Sequence, residues 1–296
     1  MRNRNGTAYF EARQEIAQDI RRRVLEHQAN VAHMKRLNSR LLAGAGLQRL
    51  NLIAVGDSWF DYPFPVPQFE QSDIVAHLQR LPSRAPLILS LAHHGNAIED
   101  MLGTKKLDEF TTQLQDQRNG QFDAILFSGG GNDLVGNQFR LWLNDCAACG
   151  GNAAQGLNQT RVNAVLAVVM AGYEDLIAVR NKVAPNLPIF VHSYDLAIPN
   201  NTSAPCAGPW LHPSLVDRGW TSIAQGQQIV ATLLEQFAQR LNSLAVTTSS
   251  FFHIQTQRTL QASQWANELH PTPEGFAAIT AKFVAALQGK FGMRIR

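Results

Sequence analysis

The stretch "LNLIAVGDSWFDYP", residues 50–63, holds one polar residue in its first seven and then turns sharply through Gly-Asp-Ser-Trp. An apolar run of that length bounded by a turn signal predicts a buried strand. A strand apolar on both faces belongs to a parallel sheet covered by helices on both sides. Ser58 at its end then has two readings. It caps the following turn, or it presents its hydroxyl at the rim of the sheet.

The same pattern recurs along the chain. Further apolar runs stand at 85–92 (APLILSLA), 122–130 (FDAILFSGG), 187–194 (LPIFVHSY) and 250–256 (SFFHIQT). Helical stretches are predicted between and after them at 70–80, 97–117, 158–184, 222–244 and 273–290. Alternating strands and helices predict an α/β chain with a five-stranded parallel sheet between helical layers. The last helix has clear end signals: Thr272 as N-cap, Pro273 at the first helical position, Glu274 in the first turn, and Gly289 or Gly292 near the stop. Residues 8–48 read as one long helix, with Phe10, Ile16, Ile20 and Val24 on its apolar side and Gly44 and Gly46 as stop signals. The chain divides accordingly into a helical extension, 1–48, and an α/β domain, 49–296. Two long connections, 134–157 and 195–221, interrupt the regular alternation, and loops of that length in a compact domain are usually functional or mobile.

Composition narrows the function classes. A hydrophobic share of 45% with 17% charged residues is that of a globular rather than a disordered chain. The net charge is only +3, but ten Lys and Arg against four Asp and Glu give +6 up to Arg49. Those basic residues occupy one helix without interleaved aromatics, which argues against nucleic-acid binding. No apolar core of signal-peptide length opens the chain, and no stretch reads as a membrane span, so a cytoplasmic location is expected; a signal removed before this numbering would be invisible. Cys146 and Cys149 form a CxxC in a Gly-rich run and Cys206 stands alone, neither a zinc set nor a disulfide scaffold. No metal-ligand cluster or dinucleotide fingerprint is seen, so any reaction is expected to be cofactor-independent.

In an open parallel sheet, ligands bind beyond the carboxyl ends of the strands. Ser58 follows the first strand, Gly95 and Asn96 the second, "GGGND" (129–133) the third, and Ser193 to Asp195 the fourth, so all four groups share one rim. A serine hydrolase needs a nucleophile, a base and donors for a developing oxyanion. A base is available as His270 in "NELHPTPEGF", directly before the last helix.

Together these pieces resemble the SGNH or GDSL-type hydrolase family, in order along nearly the whole chain after residue 49. "GDSW" (56–59) is similar to the first block, "HHGN" (93–96) to the second, and "GGND" (130–133) to the GxND of the third. The resemblance implies Ser58 as nucleophile, the backbone of Gly95 and the side chain of Asn132 as oxyanion donors, and His270 as base. It also implies a three-layer fold with strand order 2-1-3-4-5. Trp59 stands where the commonest GDSL form has leucine.

The departure is the final block. The family's DxxH carries its acid where this chain has Asn267. In a serine protease triad, asparagine in place of the aspartate costs about 10⁴-fold in turnover, chiefly through the wrong histidine tautomer. Three arrangements would escape that loss: Asn267 turns its carbonyl oxygen to the histidine, a backbone carbonyl does so, or Glu268 or Asp195 takes the acid's place.

Aromatic residues in the two long connections, Phe139, Trp142, Trp210 and Trp220, would suit an apolar acyl or aryl group, or simply pack the loops. Trp59, Trp142 and Trp210 are the expected substrate contacts. The expected partner is a small-molecule or lipid-like ester, cleaved as by an esterase or lipase; thioesterase, carbohydrate deacetylase and acyltransferase chemistry share the same parts. The alternative from another class is a binding module that keeps the pocket but turns over weakly.

Overall fold

The computed structural model describes residues 4–40, 49–63, 72–202 and 208–296. Strands β1 (Asn51–Gly56), β2 (Leu87–Ser90), β3 (Ala124–Ser128), β4 (Ile189–His192) and β5 (Phe251–Ile254) form one parallel sheet in the order β2-β1-β3-β4-β5. Each lies inside one of the apolar runs, and the order is the one expected. β1 is hydrogen-bonded on both sides, with Leu52 to Gly56 in register with Ala124 to Ser128 of β3. Its closing glycine sits where an added Cβ would come within 2.9 Å of the Phe60 ring and 3.1 Å of the Ser128 carbonyl oxygen.

Ten α-helices are described: α1 (Arg4–Arg40), α2 (Ile74–Gln79), α3 (Ile98–Leu102), α4 (Thr104–Gln115), α5 (Gly131–Leu134), α6 (Phe139–Trp142), α7 (Gln159–Val183), α8 (His212–Asp217), α9 (Ile223–Thr247) and α10 (Pro273–Phe291). The paired residues Ile189 and Phe251 point to one side of the sheet and Phe190 to the other. Phe251 meets Tyr173 of α7, whereas Phe190 meets Phe291 of α10. Helices α7 and α10 therefore cover opposite faces, and the fold is a three-layer α/β/α sandwich. Helix α2 packs with α10; α3, α4 and α9 pack with α7.

Three departures from the sequence reading have physical causes. The helix expected over 97–117 breaks at Gly103, whose backbone is extended (φ −62°, ψ 155°) and ends α3 before α4 begins. A side chain there would come within 2.5 Å of the Glu99 carbonyl oxygen. The described parts of the long connections are packed: Phe139, Leu211 and Trp220 are buried, and the Trp220 indole donates to the Asn144 carbonyl at 2.9 Å. Helix α7, at a hydropathy of 1.7, is long and apolar enough to cross a membrane, contrary to the expectation that no stretch is. In this fold Val162, Leu166, Val169, Tyr173 and Leu176 of α7 are buried in the core.

Helix α10 follows its signals. The Thr272 side chain accepts from the Gly275 N–H, Pro273 opens the helix and Gly292 (φ +59°) closes it. Helix α1 lies against the β2 side of the sheet. Its Arg23 donates to the Ala92 carbonyl at 3.0 Å, and Gln28 donates to Asp116 and Asn119. The stop signals Gly44 and Gly46, the Phe10 side chain and Cys206 lie outside the described residues.

Candidate active site

The turn after β1 resolves the two readings of Ser58. Asp57, not Ser58, supplies the cap: its Oδ1 accepts from the Trp59 N–H at 3.0 Å, while its backbone carbonyl accepts from Phe60 and Asp61. The Ser58 hydroxyl is left to face His270, whose Nε2 lies 2.8 Å from Ser58 Oγ. His270 reaches the rim from the loop before α10, 212 residues away in sequence.

The Asn267 carboxamide decides the histidine tautomer. Its Oδ1 lies 3.0 Å from His270 Nδ1, and the same oxygen accepts backbone N–H groups from Leu269 (3.0 Å) and His270 (2.9 Å). Two backbone donors can face only an acceptor, so the oxygen is fixed there and the NH₂ end points toward the Tyr62 hydroxyl at 3.5 Å. An oxygen at Nδ1 requires a proton on Nδ1. Nε2 then carries the lone pair that faces Ser58. The tautomer trap set by an Asp-to-Asn change in a protease is avoided by this backbone lock.

Burial, and then the charge of nearby His94, pushes the His270 imidazole down to about 3. Neutral Asn267 provides no counter-charge against that shift. The other candidate acids are committed elsewhere. Asp195 accepts from the backbone N–H groups of Leu196, Arg258, Thr259 and Leu260. Glu268, fully buried, accepts from those of Asn201, Trp210, Leu211 and His212.

Around the same rim, Gly95 adopts φ +78°, a conformation that glycine enters without strain. Asn132 opens α5 behind Gly130 (φ +98°), and its Nδ2 donates to the Asn96 carbonyl at 2.9 Å. A carboxamide has two N–H groups, so this bond ties the second and third motifs together and leaves one donor.

Beneath the rim runs a buried polar chain that sequence reading did not find. The Tyr194 N–H donates to His192 Nδ1 (3.2 Å), which fixes the proton on Nε2 for donation to Ser128 Oγ (2.9 Å). Ser128 donates in turn to Asp57 Oδ1 (2.8 Å), and the Tyr194 hydroxyl donates to Asp57 Oδ2 while accepting from the Gly131 N–H (3.0 Å). Burial raises Asp57 to about 6 and lowers His192 to about 3. The nucleophile turn and the GxND turn thereby share one fully connected support. Only the positive φ of Tyr194 (+61°) marks it backbone-wise, and that is invisible in sequence.

Ser58, His270 and Asn132 open onto one pocket, walled by Leu134, Val135, Leu211, Val230, Leu233 and Leu234. Of the three tryptophans expected there, Trp59 lines the pocket but is buried, its indole donating to the Leu269 carbonyl at 3.2 Å. Trp210 stands edge-on to the His270 ring at 5.5 Å. Trp142 is not brought to the pocket; its indole donates to the Leu134 carbonyl at 3.0 Å and fastens the first long connection. Among the described residues the fold also assembles one group with metal-ligand chemistry, Asp61 with His93 and His94, which the sequence reading missed because 32 residues separate the acid from the imidazoles.

Comparison with known proteins adds the following. No family model matches the chain, and no curated protein matches it. Among solved structures it is similar to a Streptococcus pneumonia protein named for platelet activating factor, at 15% identity and TM-score 0.47, covering 95% of this chain and 98% of that one. It is similar to a lipase from a goat rumen metagenome, at 15% identity and TM-score 0.49, covering 83% and 99%. It is also similar to a family 3 carbohydrate esterase of Clostridium thermocellum, at 15% identity and TM-score 0.43, covering 82% and 98%. At such identities and TM-scores the likeness assigns no activity, and the functional reading rests on the side chains.

Proposed function

We propose that the protein is a cofactor-independent serine hydrolase of carboxylic esters, working through an acyl-enzyme on Ser58. The observation that carries this reading is the unbroken line from Ser58 Oγ to His270 Nε2, and from His270 Nδ1 to an Asn267 oxygen held by two backbone N–H groups. His270 Nε2 takes the Ser58 proton as Oγ bonds to the ester carbonyl carbon. The carbonyl oxygen becomes an oxyanion, for which the backbone N–H groups of Ser58 and Gly95 and the remaining N–H of Asn132 are the donors. The intermediate collapses, the C–O bond to the alcohol breaks, and the departing oxygen takes the proton from His270. Water then gives a proton to His270 and attacks the acyl carbon; the carboxylic acid leaves and Ser58 recovers its proton.

The apolar walls of the pocket suit an apolar acyl group, the lipase-like branch of this chemistry. The test is hydrolysis of short- and medium-chain p-nitrophenyl esters by the wild type, Ser58→Ala and His270→Ala. Turnover should fall by about 10³-fold or more in either variant. A fluorophosphonate should label the wild type and not Ser58→Ala. A wild type no faster than Ser58→Ala on every ester, and unlabelled, returns the chain to the binding-module reading.

A further inference from the structure

We infer that Asp61, His93 and His94 form a binding site for a divalent transition ion of the zinc type, set on the oxyanion side of the rim. Asp61 Oδ2 lies 3.6 Å from His93 Nδ1 and 3.7 Å from His94 Nδ1, and the three ligand atoms all fall within 4.8 Å of one another. Those separations are long for hydrogen bonds. They are close to the spacing around a shared ion, since bonds of about 2.0–2.2 Å in a tetrahedron place neighbouring ligand atoms about 3.3–3.6 Å apart. One carboxylate and two imidazoles are a donor set that zinc accepts, with the fourth position open.

The surroundings supply charge and access. The Arg23 guanidinium, on α1, sits on the other carboxylate oxygen, Oδ1, at 2.9 Å, while Oδ2 is the oxygen near the imidazoles. Arg23 is also paired with Asp19 at 2.6 Å, and Asp19 pairs in turn with Arg22, so the guanidinium beside Asp61 is shared between two carboxylates. The acid is buried, so it is the fixed member of the set. His93 is partly exposed and His94 exposed, so an ion enters from solvent and the far ring nitrogens can carry the imidazole protons. The two rings stand 4.2 Å apart, on the loop that leads straight to Gly95. An ion here ties that loop to the turn carrying Ser58 and to α1.

The inference does not depend on the hydrolase reading, because its readout is binding. Tag-free full-length protein, stripped with chelator, is titrated with zinc in a calorimeter and with cobalt in a visible-absorption cell. One zinc per chain is expected, with the intense visible bands of four-coordinate cobalt. His93→Gln and His94→Gln should each weaken binding by about tenfold or more. Arg23→Met should tighten it, since a cation beside the ligand carboxylate is removed. The proposal is overturned if the wild type takes up no zinc at about 1 mM, if both histidine variants bind as the wild type does, or if Arg23→Met abolishes binding in a chain that still unfolds cooperatively.

Discussion

At the scale of single residues, Asn267 sets the pH range over which His270 can act. Imidazole must be neutral to take a proton, and its usual value of 6.5 is pushed down to about 3 by burial and by His94. Among the described residues no carboxylate opposes the shift, for Asn267 is neutral and Glu268 and Asp195 are spent on backbone N–H groups. Ester hydrolysis should therefore persist down to about pH 5 without an acid limb near neutrality. Asn267→Asp places an anion against Nδ1–H, favours the imidazolium and should move the acid limb of kcat/KM upward by about 1–3 pH units. Profiles from pH 4 to 9 decide the point. Superimposable wild-type and variant profiles would show that the Asn267 contact does not govern the base.

At the scale of elements, the second long connection is organised by one buried charge. The Glu268 carboxylate accepts four backbone N–H groups, one from Asn201 and three consecutive ones from Trp210 to His212 at the start of α8. Glu268→Gln replaces one acceptor oxygen by a donor that faces those N–H groups. It should cost about 2–4 kcal/mol in urea unfolding and make residues 195–221 the first site of protease cleavage. Unchanged stability and an unchanged cleavage pattern would remove Glu268 from this role. The example also marks what sequence can reveal. Strands were legible because runs such as Leu50 to Gly56 are apolar on both faces, and α10 because Thr272, Pro273 and Gly292 act locally. The order of the GDS, GxND and histidine motifs placed Ser58, Asn132 and His270 on one rim. The break at Gly103 was not legible, since it depends on a close approach to the Glu99 carbonyl and not on hydrophobic period. The roles of Glu268, Tyr194 and the Asp61 group were hidden for one reason: their partners lie 32 to 137 residues away, and only the folded sheet brings them together.

At the scale of the whole molecule, buried ionisable groups of two kinds shape the response to acid. His192 and His270 are held neutral, with burial lowering each to about 3 from 6.5. Below pH 6.5 the unfolded chain binds protons there that the fold does not, so stability falls as pH drops toward 3. Asp57 and Asp73 act with the opposite sign. Burial, the largest cause, raises them from 3.8 to about 6 and about 7. As pH falls through those values the fold takes up protons before the unfolded chain does, and it gains stability until about pH 4. Asp73 allows a test because it also caps α2, its Oδ1 accepting from the Ala76 N–H at 2.8 Å, a role that asparagine fills nearly as well. Asp73→Asn removes the proton uptake and keeps the cap bond, though its NH₂ faces the Tyr62 N–H that Oδ2 accepts at 3.3 Å, which sets a cost present at every pH. Beyond that constant cost, the variant's disadvantage should grow by ~3–4 kcal/mol from pH 7 to pH 4, as three pH units of linkage require. Urea unfolding of both proteins at pH 7, 5.5 and 4 measures it, and a stability difference that stays constant across the three would show that Asp73 is not protonated in the fold.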